Sequence, residues 1–168
     1  MSENPRLFVI MGVCGSGKST VGEAAAERLG ATYLDGDSFH PPSNIEKMSA
    51  GTPLTDEDRW PWLERVAQEI AARPGIVLGG CSALKRAYRD HISRHAGEPV
   101  KYIHLQGSRE LILSRMGQRT GHFMPTTLVD SQFAALEVPG DDELAVNIDI
   151  DADFDTVVGR IVAAVEGG

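Results

Sequence analysis

A five-residue apolar run, Leu7–Met11, stops at a glycine and is followed by Gly12-Val13-Cys14-Gly15-Ser16-Gly17-Lys18-Ser19-Thr20. A continuous apolar run of this length reads as a strand buried on both faces, which requires a parallel sheet covered by helices. The nine residues match Gly-x-x-x-x-Gly-Lys-Ser/Thr, and they lie between that strand and an apolar-periodic segment, Ser19–Leu29, as the motif requires. Glycines let the backbone turn tightly enough for several N–H groups to converge on one anion. The helix that follows adds the positive end of its dipole. Lys18 is therefore expected to reach the β- and γ-phosphates of a nucleoside triphosphate, and the Ser19 hydroxyl to ligand Mg²⁺. A glycine-rich turn with a chance lysine would lack the strand-to-helix setting.

The rest of the chain alternates in the same way. Strands are expected at Ala31–Leu34, Ile76–Cys81, Val100–Leu105 and Ala145–Ile150. Helices are expected around Asn44–Ser49 and over Thr55–Arg73, Leu84–His95, Ser108–Arg119, Thr126–Leu136 and Asp153–Val165. Pro61, near the start of Thr55–Arg73, is a candidate break. Five strands separated by helices predict a three-layer, doubly wound α/β domain with a parallel five-stranded sheet spanning residues 1–168. The 42% hydrophobic and 24% charged fractions suit one soluble domain. A formal charge of −8 without a Lys/Arg cluster argues against a nucleic-acid surface. No apolar run approaches membrane-spanning length and no signal segment is recognisable, so no membrane partner is expected. Cys14 and Cys81 have no metal-site or disulfide spacing, which fits a reducing, cytoplasmic setting.

Binding a triphosphate does not define the reaction. The Asn-Lys-x-Asp and Asp-x-x-Gly signals of signalling GTPases occur nowhere in the chain. The strand at Ile76 runs into Gly79-Gly80-Cys81-Ser82 rather than an aspartate, unlike large mechanical ATPases. A small-molecule kinase remains. Asp35-Gly36-Asp37 follows the second strand, so it is expected at the carboxyl edge of the sheet, where open α/β sheets bind ligands. Transfer to an alcohol needs one carboxylate to accept the hydroxyl proton and oxygen ligands for Mg²⁺; Asp37 and Asp35 suit these roles. His40 and Arg59 are candidate acceptor contacts. Lys85 and Arg89, four apart on an expected helix, would share a face that receives an anion. Arg115 and Arg119, four apart before Thr120-Gly121-His122-Phe123, suggest a lid whose guanidinium groups close over phosphates. Trp60 and Trp62 read as packing residues. Backbone near 149–153 is the expected adenine contact.

Taken together, several strings resemble the gluconate kinases of the P-loop type over roughly residues 6–165. These are Leu34-Asp35-Gly36-Asp37 with His40-Pro41, Asn44-Ile45-Glu46-Lys47-Met48, Asp58-Arg59 with Pro61-Trp62-Leu63, Cys81-Ser82-Ala83-Leu84-Lys85 with Tyr88-Arg89-Asp90, and Ser131-Gln132-Phe133 with Leu136-Glu137. The resemblance implies ATP and D-gluconate giving ADP and 6-phospho-D-gluconate, with Mg²⁺, in the cytoplasm. It implies a nucleoside-monophosphate-kinase-like fold with an acceptor-binding insertion at about 37–62, a lid at about 119–126, and often a homodimer. In residue terms, it implies that Asp37 positions or deprotonates the C6 hydroxyl and that Asp35 helps order the Mg²⁺ shell. His40, Arg59, Lys85 and Arg89 would line the acceptor site, and Arg119 would come from the lid. A shikimate-kinase-like or other sugar-acid kinase is the nearest alternative. Gly79-Gly80 departs from the bulkier residues expected there, which puts strand packing in question.

Overall fold

The computed structural model of the chain describes residues 5–13, 15–52, 54–117 and 126–167. Five strands form one sheet: β1 (Leu7–Met11), β2 (Thr32–Asp35), β3 (Val77–Gly80), β4 (Val100–Gln106) and β5 (Ala145–Asp149). Their order is β2-β3-β1-β4-β5 and every neighbouring pair is parallel. The chain first winds from β1 towards β2 and β3, then crosses to β4 and β5 on the other side. The carboxyl end of β1 is thus the point where the winding reverses, and the glycine-rich loop leaves the sheet there.

Seven helices occur among the described residues: α1 (Lys18–Leu29), α2 (Pro42–Ser49), α3 (Asp56–Ala71), α4 (Arg86–Ala96), α5 (Arg109–Gly117), α6 (Thr126–Ala135) and α7 (Phe154–Glu166). Side chains of β1 alternate between two cores, as a strand's period of two demands. Phe8 and Ile10 pack with α1 and α7, whereas Leu7, Val9 and Met11 pack with α3 and α4. This gives the expected three layers, and all five residues of β1 are buried.

Two boundaries differ from expectation in ways that matter for the site. Pro61 does not split α3. Thr55 and Asp58 form a capping box that starts the helix at Asp56, and Trp62, Leu63, Val66, Ala67 and Ile70 bury its inner face. Pro61 therefore forfeits one rung of a ladder held from both sides. α4 begins at Arg86, two residues later than expected, because Ala83 takes φ 44° and Lys85 is extended at φ −99°, ψ 147°. Neither conformation can belong to a right-handed helix. The glycine pair of β3 has a packing reason too: a Cβ on Gly80 would run into the Tyr33 hydroxyl. The small residue makes room for the aromatic ring of the neighbouring strand.

Candidate active site

Gly17 caps α1 at φ 86°, in the left-handed region that glycine tolerates. Lys18 Nζ donates to the carbonyls of Gly12 (3.0 Å) and Val13 (3.2 Å), so the ammonium lies folded over the loop. The Val13 side chain belongs to the core, which leaves its backbone to the loop. Ser16 is buried, and Ser19 and Thr20 are exposed in the first turn of α1. Cys14 lies outside the described residues.

Asp35 and Asp37 reach the same edge. Asp35 ends β2, and its Oδ1 accepts the Asp37 N–H at 3.0 Å, capping a 3₁₀ turn over Gly36–Phe39. Asp37 projects outward, with a side chain 77% exposed. The buried Cys81 thiol just beyond β3 joins these groups electrostatically. Burial and then the Asp37 charge push its pKa up to about 12, while Lys18 acts in the opposite sense. Asp37 follows β2 and Lys18 follows β1, so both lie at the carboxyl edge of the parallel sheet.

His40 is fixed in both place and tautomer. Its ring stacks on Trp62, with centroids 4.1 Å apart and planes 15° from parallel. Trp62 is in turn anchored by Nε1–H donating to the Gly36 carbonyl at 2.8 Å. The Asn44 amide nitrogen donates to the Asp58 carbonyl (2.9 Å) and lies 3.2 Å from His40 Nδ1. The carbonyl contact orients the amide so that Nδ1 accepts, which leaves the proton on Nε2, facing Asp37 Oδ1 at 3.9 Å. Burial holds the His40 pKa below its ordinary value; Asp37 opposes this and Arg59 adds to it.

Arg59 and Lys85 converge through Asp56, an acid to which the sequence assigned no site role. Asp56 Oδ1 lies 3.3 Å from Arg59 Nη1, and Oδ2 lies 4.0 Å from Lys85 Nζ. The Tyr88 hydroxyl donates to Asp56 Oδ1 at 2.5 Å. Both cations stand against the Tyr88 ring, at 5.5 and 5.7 Å from its centroid. The Tyr88 hydrogen bond, then Lys85 and Arg59, hold the Asp56 carboxyl below its usual range. Two cations and one carboxylate leave one positive charge for an anion. The i,i+3 spacing of Asp56 and Arg59 was the available sequence signal.

One expected site residue is drawn away from this cluster. Arg89 does not share the face of Lys85. Lys85 precedes α4 and Arg89 lies within it, 1% exposed. Arg89 pairs with Glu143 at 2.7 and 3.0 Å and donates to the carbonyls of Ala83, Leu84 and Glu137. Its donors are committed to holding the turn that aims Lys85. Arg115 lies in the last turn of α5, and its Nη2 donates to the Ile150 carbonyl at 2.6 Å. It braces the loop between β5 and α7, where the adenine contact was expected. Arg119 and residues 119–125 of the expected lid lie outside the described residues. A groove of about 430 Å³ between the 3₁₀ turn and α3 shares only His40 with this cluster, so it is not the space between Asp37 and Arg59.

No helix among the described residues is long and apolar enough to cross a membrane. Residues 7–139 match a family model described as an AAA domain. The chain is 44% identical to a gluconokinase of Gluconobacter oxydans, over 96% of this chain and 92% of that protein. It superposes on the crystal structure of a gluconokinase from Sinorhizobium meliloti 1021 with a TM-score of 0.89 and 43% identity, covering 99% of this chain and 94% of that one. A shikimate kinase from Aquifex aeolicus has a TM-score of 0.59 at 15% identity, covering 95% and 96%, and shares the fold alone.

Proposed function

The chain belongs to the gluconokinase family, and from that premise we propose that it transfers the γ-phosphoryl group of ATP to the C6 hydroxyl of D-gluconate, yielding ADP and 6-phospho-D-gluconate. The observation that carries the reading is the gathering of two cations, Arg59 and Lys85, on Asp56; Asp37 adds an exposed carboxylate just after β2. An anionic polyol has a charge for the cluster and a hydroxyl for the carboxylate. Asp37 accepts the hydroxyl proton as the phosphoryl group moves, and the His40 Nε2–H orients the polyol beside it. Arg59 and Lys85 hold the gluconate carboxylate. Lys18 and the loop N–H groups hold the β- and γ-phosphates.

Ser19 Oγ and the free oxygen of Asp35 are hard donors at the strand end, and they suit Mg²⁺ bound with the nucleotide. The ion would neutralise phosphate charge there. The same reading includes the acceptor insertion at about 37–62, closure of the lid at about 119–126 with Arg119 over the phosphates, a cytoplasmic setting and a homodimer.

A coupled ADP-release assay over gluconate, shikimate and related polyol acids tests the acceptor. Turnover is expected on gluconate, and activity on shikimate alone overturns the assignment. Lys18→Ala removes the charge on the β- and γ-phosphates and is expected to lower kcat by about 10²–10³-fold, typical of losing one preorganised donor to developing charge. A rate near that of the unmodified protein would show that the loop does not carry the transferred group.

A further inference from the structure

α3 and α4 pack side by side, and at their contact Glu64 of α3 meets His91 and His95 of α4. The two histidines are four residues apart and so share one helix face. One ligand atom from each of the three residues lies within 4.8 Å of the other two. His95 Nε2 is 3.8 Å from Glu64 Oε2, and the imidazole centroids are 4.2 Å apart. None of the three takes part in the chemistry described above.

The protons of both rings are already committed. His95 Nδ1 is 2.9 Å from the carbonyl oxygen of His91, and His91 Nε2 is 3.2 Å from that of Trp60. A carbonyl only accepts, so these nitrogens carry the hydrogens. The lone pairs are left on His95 Nε2 and His91 Nδ1. Anchoring one ring N–H on a backbone carbonyl is how proteins orient a neutral imidazole as a metal ligand. The hydrogen bond to Trp60 fixes the His91 ring, and it leaves the Nδ1 lone pair without a hydrogen to bind. With metal–ligand distances of about 2.0–2.2 Å in a tetrahedral zinc site, adjacent ligand atoms stand roughly 3.3 Å apart. From separations within 4.8 Å, the ligand atoms need to close by at most about 1.5 Å to reach that spacing.

We propose that Glu64, His91 and His95 form a Zn²⁺ site that clips α3 to α4, with the fourth position open to water. Nitrogen donors distinguish it from the oxygen donors at Ser19 and Asp35, which suit Mg²⁺. The site lies against the acceptor cluster: the Trp60 ring is 5.0 Å from His91 and edge-on to Tyr88 at 5.6 Å. A metal here would steady the end of α3 that carries Asp56 and Arg59.

The test uses the untagged, chelator-stripped full chain without nucleotide, so it does not depend on the kinase reading. Calorimetric titration with Zn²⁺ alone is expected to show one ion per chain. Co²⁺ is expected to give the intense visible absorption of a tetrahedral site. Outer partners of metal ligands change affinity about 10–100-fold. Losing a ligand should cost at least that, so His95→Gln and Glu64→Gln are each expected to weaken Zn²⁺ binding about 100-fold and to abolish the Co²⁺ band. Absence of Zn²⁺ binding to the unmodified protein overturns the proposal, as does undiminished affinity in either variant.

Discussion

Asp37→Asn is expected to lower kcat for gluconate phosphorylation by about 10²–10⁴-fold, the range spanned by a positioned general base. That corresponds to roughly 2.7–5.5 kcal/mol of transition-state stabilisation. The amide keeps the size of the side chain and loses the ability to accept the hydroxyl proton. Little else should change. The Asp37 carboxylate is exposed and supports no packing, while its backbone N–H is held by Asp35 and the turn is anchored by Trp62. Stability should therefore stay within about 0.5 kcal/mol, as for other exposed substitutions. ATP affinity should stay within about twofold, because the phosphates are held from the loop after β1. Single-turnover rates together with equilibrium ATP binding check both halves. A large loss of ATP affinity would move Asp37 to the nucleotide side of the reaction.

Arg89→Met is expected to act on folding instead. Its guanidinium is buried against Glu143 and serves three carbonyls. Removing one partner of a buried pair leaves an uncompensated charge and costs about 3–5 kcal/mol. For a chain of this size that is roughly a 6–20 °C fall in Tm. The fraction that remains folded should keep most of its affinity for gluconate. A raised KM with unchanged Tm would instead return Arg89 to the acceptor site. Arg89→Met combined with Glu143→Leu should recover part of the loss, since the unpaired carboxylate is gone; a double-mutant cycle measures the coupling. The Arg89 hydrogen bond holds the Glu143 carboxyl below its usual range. A depressed carboxyl pKa stabilises the fold above the unfolded-state value. This contribution is present at neutral pH and lost as pH falls through the folded pKa, so the Tm difference between the two proteins should narrow in acid.

Lys85 and Arg89 show the boundary between local and distant information. As residues four apart on an expected helix they looked equivalent. The left-handed turn at Ala83 puts Lys85 ahead of the helix, and Glu143, 54 residues further on, draws Arg89 into the interior. Asp56 meets Tyr88 across 32 residues, and nothing in its own neighbourhood announced that contact. Trp62 read as packing, which it is, yet its indole also carries the His40 ring and the Gly36 carbonyl. The tautomer of His40 depends on an amide oriented by a carbonyl of another helix.

What the sequence determined by itself is what contiguous residues decide among themselves. The loop at 12–20 was legible because an anion cradle is made of successive backbone N–H groups, and glycine positions prescribe their turn. The buried parallel sheet was legible because strand burial writes itself as an apolar run. Asp35 and Asp37 were legible as a pair because they stand at the end of a strand, and strand ends face the ligand edge. The tertiary structure decided which charges face that edge. An arginine serves a substrate or a carboxylate according to what lies within about 4 Å of its guanidinium, where Coulomb energy is large. Those neighbours come from other helices, brought there by packing over the same sheet.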